Sequence, residues 1–400
     1  MKRKARMQLP TAFIMLILLG SAIAPAASAL DNRAVLEENY VSAELALKNS
    51  ENVFNDFLNS GAFSMDNVSG KVSINPDPLL IYDIRGVPLY HQFSIEDEGK
   101  EIGMIKAAAS KVLGCTVCTI EETPSSLDYQ AVMTNAKTAF MQKNEDLRFI
   151  SAVLVCYSYP EIGVMVHCCN VSSGSEEYII LDARDYSIVS ANFSDSSDVP
   201  AVWSIYDEIP QLEYPERIRQ WNYENSYNHD ELSLSEDTLE YRKIWNINNL
   251  VAQPNSLWCA VASGKMIAQW FGVAHDMNHI ADEMEAWDKS TPPLPTGAIW
   301  SNELHYYGYN TFPPDHLGRY LTDYWGTPMV AWNTAYTHIQ TRGDPLMSSI
   351  PGHDRACAGW ASSSDGSRYL YIFDPGPVNE GSVKWENWNS IRHDGFILVD

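Results

Sequence analysis

The 400-residue sequence predicts an α+β fold in two parts, and three observations carry that prediction. Strand-like runs rich in β-branched and aromatic residues recur in both halves, beside segments whose apolar residues repeat at helical spacing. Tight turns such as Arg85-Gly86 and Ser362 to Ser367 join neighbouring runs, which makes the strands antiparallel and the helices flanking. A polar, acidic stretch broken by Pro200, Pro210 and Pro215 separates the halves and reads as a linker, residues 196–242.

Before the first half, Lys2, Arg3, Lys4 and Arg6 precede the apolar run Ala12 to Ile23, and Ala27-Ser28-Ala29 supplies a small-x-small cleavage signal. This is the pattern of a secretory signal peptide, residues 1–29, and it is too short for a stable membrane span. No second apolar run of about twenty residues follows, so an exported, extracellular chain without a membrane anchor is expected. The whole sequence carries a formal charge of −24, a field that repels nucleic acid and anionic membranes and reads as surface solubility.

Residues 30–195 form the first part, an α+β prodomain or accessory domain. Asp31 to Asn59 presents Leu36, Tyr40, Leu45, Val53, Phe54 and Phe57 as the apolar side of one amphipathic helix ending at Ser60-Gly61. Leu79 to Ile84 and Pro88 to Ile95 flank Arg85-Gly86 as a hairpin, and Glu101 to Ile105 is a third strand running into an Ala107 to Leu113 helix. A helix over Leu127 to Met141 is followed by strands at Phe149 to Tyr157, Gly163 to Cys169 and Tyr178 to Asp182. The strands between Ile81 and Ile105 resemble modules of PepSY-like domains and of secreted-protease propeptides. Five of the seven cysteines, Cys115, Cys118, Cys156, Cys168 and Cys169, lie in this part. Export favours disulfides among them over a zinc site built on Cys115, Cys118 and His167-Cys168-Cys169. The odd total leaves at least one thiol free, and Cys259 is the choice.

The second part, residues 243–400, carries the chemistry. Cys259 to Phe271 has no proline, recurring apolar residues and a stop at Gly272, so the cysteine opens a helix. Backbone amides and the macrodipole at a helix start favour negative charge, which suits a thiolate nucleophile. Six residues upstream, the amide of Gln253 is placed to donate to an oxyanion. Pro351-Gly352-His353 opens a strand through Trp360, and Arg368 to Phe373 return to Asp374-Pro375-Gly376. A turn centred near Ser364-Asp365 then sets His353 opposite a residue near Asp374 or Pro375, so imidazole and carboxylate meet at one end of the hairpin. In that pair Asp374 fixes the tautomer of His353, and His353 draws the proton from Cys259. Asp354 is adjacent to His353 but faces the other side of the strand, and Cys357 reads as a core thiol. The aromatic run Trp300, Tyr306, Tyr307, Tyr309, Phe312, Tyr320, Tyr324, Trp325 and Trp332 reads as core first and as a peptide groove second, and Met329 to Trp332 as a strand.

Gln-x5-Cys, with Trp258 beside the cysteine and a small-residue helix after it, resembles the papain-like cysteine peptidases. Within them it is most similar to the bacteriocin-leader-peptidase-like, or double-glycine-peptidase-like, branch. The resemblance covers roughly Lys243 to Asp400. It departs from papain, which has tryptophan after the cysteine where this chain has Ala260. The resemblance implies that a Cys-bearing helix packs on an antiparallel sheet, with Cys259 as nucleophile, His353 as general base and acid, Asp374 as the orienting residue and Gln253 as oxyanion donor. It implies no metal and no organic cofactor. The expectation is a secreted cysteine peptidase, made as a precursor, that hydrolyses peptide or isopeptide bonds of a peptide or protein substrate through a thioester acyl-enzyme. Processing is expected between Asn225 and Arg242. A transglutaminase-like or cell-wall amidase acyl-transfer enzyme uses the same order of groups, and a non-catalytic secreted binding protein retaining the fold is the alternative from another class.

Overall fold

The structure is a computed structural model that describes residues 28–64, 71–189, 202–227, 239–288, 294–308, 316–326 and 330–400. Most of the expected signal peptide lies outside them. No helix among the described residues is long and apolar enough to cross a membrane.

The single helix expected over Asp31 to Asn59 is two, α1 (Ser28–Glu38) and α2 (Ala43–Ser60). Between them Tyr40 bridges to Ser110, and the Val41 N–H donates to Ala109 O at 2.9 Å, so the sheet claims this backbone. Ser42 then caps α2 by accepting from the Leu45 N–H, and Gly61 closes it in the left-handed region at φ 80°, where a side chain is costly.

Strands β1 (Val72–Ile74), β2 (Leu79–Asp83), β3 (Pro88–Asp97), β4 (Lys100–Ala108) and β5 (Val117–Glu121) follow. The helix expected at Ala107 to Leu113 is absent. Ala107 and Ala108 stay in β4, paired with His91 and Tyr90, and only Lys111–Leu113 coils, as one 3₁₀ turn. Small alanines satisfy helix and buried strand alike, and the ladder decides. Next come α3 (Tyr129–Lys143), capped by Asp128, then β6 (Leu147–Ser158), β7 (Glu161–Asn170), β8 (Glu176–Asp182) and β9 (Ile188–Val189).

The stretch expected to be a linker contains α4 (Tyr214–Tyr227) and β10 (Glu240–Lys243). Trp221 and Glu224 of α4 are buried, with the Glu224 carboxylate accepting from the Thr116 N–H at 2.8 Å. A few anchoring residues hold this helix, and they leave no strong apolar period in the sequence.

The remaining elements are α5 (Cys259–Trp270), α6 (Met277–Glu283), the β11 (Trp287–Asp288) and β12 (Leu294–Pro295) ribbon, α7 (Trp300–Tyr307), β13 (Tyr320–Trp325), α8 (Trp332–Thr341), β14 (Leu346–Ile350), β15 (His353–Ser362), β16 (Arg368–Asp374), β17 (Ser382–Asn387) and β18 (Gly395–Val399). The strand expected at Met329 to Trp332 is not formed by its described residues, because Trp332 opens α8 and packs on Tyr336 and Trp360. Of the aromatic run, Tyr306 and Tyr307 are fully buried core, Trp300 packs on half-exposed Trp325, and Tyr309 and Phe312 lie outside the described residues.

The chain is mixed α+β, and its two halves share one sheet. The order is β13-β18-β14-β15-β16-β17-β5-β4-β3-β2-β6-β7-β8-β9, with β1 on β3 and β10 on β15. Every pairing is antiparallel except β2 with β6. The seam is β5 against β17, where Glu121, Ile120 and Thr119 face Lys384, Trp385 and Glu386. One apolar core crosses it, joining Phe57, Ile105 and Ile120 of the first half to Trp258, Ala260, Tyr371 and Trp385 of the second. Phe57 stands edge-on to Tyr369 and Trp385, at centroid distances of 5.1 and 5.4 Å.

The expected disulfides do not form. All seven cysteines are free thiols, and Cys115 and Cys118 have sulfurs 3.6 Å apart against about 2 Å for a bond. Cys168 and Cys169 point to opposite faces of β7, and His167 pairs with Glu176 at 3.0 Å, so the zinc alternative is not assembled either.

Candidate active site

Two hairpin turns and one helix start converge at one end of the sheet. Pro351-Gly352 turns β14 into β15, with Ile350 paired to His353 and Gly352 at φ 70°, the left-handed value such a turn needs at its second corner. His353 is thereby the first residue of β15. Asp374 is the last residue of β16, one step beyond the Ala356–Phe373 pair. Their side chains meet: His353 Nε2 lies 2.6 Å from Asp374 Oδ1, with the carboxylate fully buried.

Two further donors and one further charge fix Asp374. The Gly376 N–H donates to Oδ1 at 3.0 Å and Lys384 Nζ to Oδ2 at 2.8 Å, and Arg355 adds its charge. Burial alone would raise this carboxyl, but Lys384, then His353 and Arg355, outweigh it and hold it far below the usual carboxylate range.

Cys259 opens α5, and no side chain caps the helix there, so the first-turn amides are not taken up by a cap. Trp258 anchors the approach through Nε1–H to Ala286 O at 3.1 Å. One turn later the Ser263 hydroxyl donates to Asp354 O at 3.1 Å, which pins α5 onto β15 beside His353. Cys259 is partly buried and lies close enough to the imidazole to act on its pKa. Since Nε2 faces Asp374, the ring nitrogen left for the sulfur is Nδ1. Burial alone would lower the His353 pKa. Asp374, and after it Cys259, reverse the sign and raise it to about 10.

Gln253 is buried and strapped to the loop after Asp374, its N–H donating to Pro375 O at 2.9 Å and its carbonyl accepting from Asn379 N–H at 2.8 Å. Its side-chain Oε1 has no hydrogen-bond partner. Gln253 and His353 line a cleft of about 620 Å³ whose opposite wall comes from the first half: Tyr157, Tyr159, Pro160, Glu161, Arg184 and Ile188.

The structure therefore brings together all four residues singled out in the sequence, Cys259, His353, Asp374 and Gln253. It adds four that sequence reasoning missed. Lys384 belongs to β17, where Ser382, Lys384 and Glu386 alternate with Val383 and Trp385, a period-two signal visible in the sequence. Tyr159 sets its ring 4.8 Å from Lys384 Nζ and donates its hydroxyl to Glu386 Oε2 at 2.6 Å, while Arg355 pairs with the same carboxylate at 2.6 Å. Burial raises the Glu161 pKa, and Arg184 and His353 oppose that rise. Burial, reinforced by Asp354 and Cys259, pushes the carboxyl of Glu303 on α7 well above the carboxylate range. Neither glutamate has a sequence signal. Two other histidines, His338 and His393, are buried in other surroundings, where burial lowers both and takes His393 to about 3.

No family model, curated protein or solved structure matches this chain.

Proposed function

We propose that the protein is a cysteine peptidase of papain-like chemistry that hydrolyses peptide or isopeptide bonds. The observation that carries this reading is a buried imidazole held between a carboxylate at 2.6 Å and a half-exposed cysteine on a helix start. Few structural roles require that order of groups, and nucleophilic acyl transfer requires each of them.

His353, raised to about 10, already carries on Nδ1 the proton it shares with Cys259 before the sulfur attacks the scissile carbonyl carbon. In this reading the developing oxyanion accepts from the Cys259 N–H and the Gln253 side-chain amide, and the Pro375–Asn379 strap fixes the Gln253 backbone that carries that amide. As the tetrahedral adduct collapses, the C–N bond breaks and the imidazolium protonates the departing amine, leaving a thioester. His353, now neutral, deprotonates the water that attacks the thioester; the C–S bond breaks, the acid leaves and the proton stays with the His353–Cys259 pair. Asp374 stays ionised throughout and stabilises the imidazolium. None of these steps needs a metal or an organic cofactor.

The shared sheet and the Tyr159–Lys384–Asp374 contacts support an accessory half that remains part of the working enzyme, in preference to a propeptide that leaves. Substrate then lies between the halves, in the cleft that Gln253, His353, Tyr159 and Glu161 line.

The test is alkylation by iodoacetamide, with sites and rates read by peptide mass spectrometry. Cys259 should react at least tenfold faster than Cys169, the other partly exposed thiol, and Cys259→Ala should abolish cleavage in a peptide library. Equal rates at the two thiols, or cleavage that survives the substitution, would overturn the proposal.

A further inference from the structure

We infer that Glu283, His305 and His316 form a zinc-binding site, separate from the cysteine chemistry. Glu283 ends α6, His305 lies in the last turn of α7, and His316 precedes β13. One ligand atom from each falls within 4.8 Å of the other two. Zinc bonds of about 2.0–2.1 Å in tetrahedral geometry place neighbouring ligand atoms about 3.3 Å apart, so a small inward shift of the wider contacts completes the set.

The decisive detail is an alignment that fails. His316 Nδ1 stands 3.0 Å from Glu283 Oε2, close enough for a hydrogen bond, yet this buried nitrogen makes none. A histidine and a glutamate that existed to pair would point N–H at oxygen. Two groups aimed at a common third point approach each other at this distance without pointing at each other. The rings of His305 and His316 agree, 4.5 Å apart between centroids and crossed at 70°, which keeps them from stacking.

Two imidazoles and a carboxylate select a borderline divalent metal over calcium or magnesium, which prefer all-oxygen sets. The set carries one formal negative charge against two positive, and tetrahedral zinc has room for one water. Bound there, zinc ties the end of α6 to the end of α7 and to the chain ahead of β13. Glu303, two residues before His305 on α7, lies near Cys259, so the metal also steadies the helix that presents this acid to the sulfur.

The test uses full-length protein carrying Cys259→Ala, which removes the candidate nucleophile as a competing ligand and makes the result independent of the proposed peptidase activity. After chelator treatment and dialysis, calorimetric titration with zinc chloride should give one zinc per chain and a raised Tm. His305→Ala with His316→Ala should weaken binding at least a hundredfold, and Glu283→Gln about tenfold, with the metal-free Tm of each close to that of the parent. Cobalt(II) added to the unsubstituted-site protein should show the visible bands of a four-coordinate ion, a readout that does not depend on any variant folding. Undiminished zinc binding by the double variant, binding lost instead on His275→Ala with His279→Ala, the other histidine pair of this region with ring centroids 4.4 Å apart, or a cobalt spectrum equal to that of the hydrated ion would overturn the assignment.

Discussion

Replacing Asp374 by asparagine should move the pH profile of Cys259 alkylation, and the structure sets both direction and size. In the native site His353 is raised from 6.5 to about 10, with Asp374 the largest cause of the rise and burial opposing it. At about 1.36 kcal/mol per unit of pKa, that preference for imidazolium is worth a few kcal/mol, most of it supplied by the carboxylate charge. Asparagine keeps the shape and a hydrogen-bond acceptor for Nε2–H but removes the charge, so burial wins and His353 should lose its proton at or below its ordinary 6.5. The alkylation step assigned to His353 should therefore shift down by at least about two pH units, and acylation of substrate should slow by roughly 10² to 10⁴. The linkage has a definite sign. A base raised in the folded state contributes stability that is complete below its ordinary pKa and lost as pH rises through the raised one. Wild-type Tm should accordingly fall between pH 7 and 10 more steeply than that of the variant. The single substitution Asp374→Asn leaves Lys384 buried without its partner at a cost of about 3–5 kcal/mol, so the companion measurement is Asp374→Asn with Lys384→Met, which removes both charges. The assay is iodoacetamide labelling followed by mass spectrometry across pH 5 to 11. Superimposable profiles for wild type and the folded double variant would refute the reasoning.

Three other outcomes follow from the shared core and the buried acids. Phe57→Ala should cost about 3–5 kcal/mol in urea unfolding, because the ring is wholly buried at the seam between the halves; a loss below 1 kcal/mol would mean the halves do not depend on each other. Glu224, raised by burial to about 8, stabilises the fold as a neutral acid below its ordinary pKa of 4.5 and loses that contribution as pH rises through 8; Glu224→Gln should flatten the decline in Tm between pH 5 and 9, and an unchanged slope would count against it. Protease nicking within residues 228–238 should leave two fragments that co-elute in size-exclusion chromatography, held by β5 on β17 and by the common core; separate elution would restore the releasable-propeptide reading.

Local pattern was enough for much of the site. The β15–β16 hairpin was legible because strand partners across a short turn sum to a near-constant, and that rule brought His353 to Asp374 without coordinates. The start of α5 at Cys259 was legible because a proline-free, small-residue run follows it and Gly272 stops it. Local pattern misled where two states fit the same residues. Ala107 and Ala108 suit helix or strand, the Asn39 to Ser42 break in the first helix is imposed by bonds to Ala109 and Ser110, and α4 is held by a few buried residues in an acidic stretch.

Sequence alone determined which residues open the helix, which close the hairpin, and hence that a thiol, an imidazole and a carboxylate are available in that order. Only the tertiary structure decided that β5 lies against β17, that Tyr159 reaches Lys384 and Glu386, and that Glu161 and Glu303 look toward the reacting groups. The reason is separation along the chain: a turn couples residues a few positions apart and leaves its mark in composition, whereas a seam between strands more than 250 residues apart is selected by burial summed over the whole core, to which no short stretch of sequence bears witness.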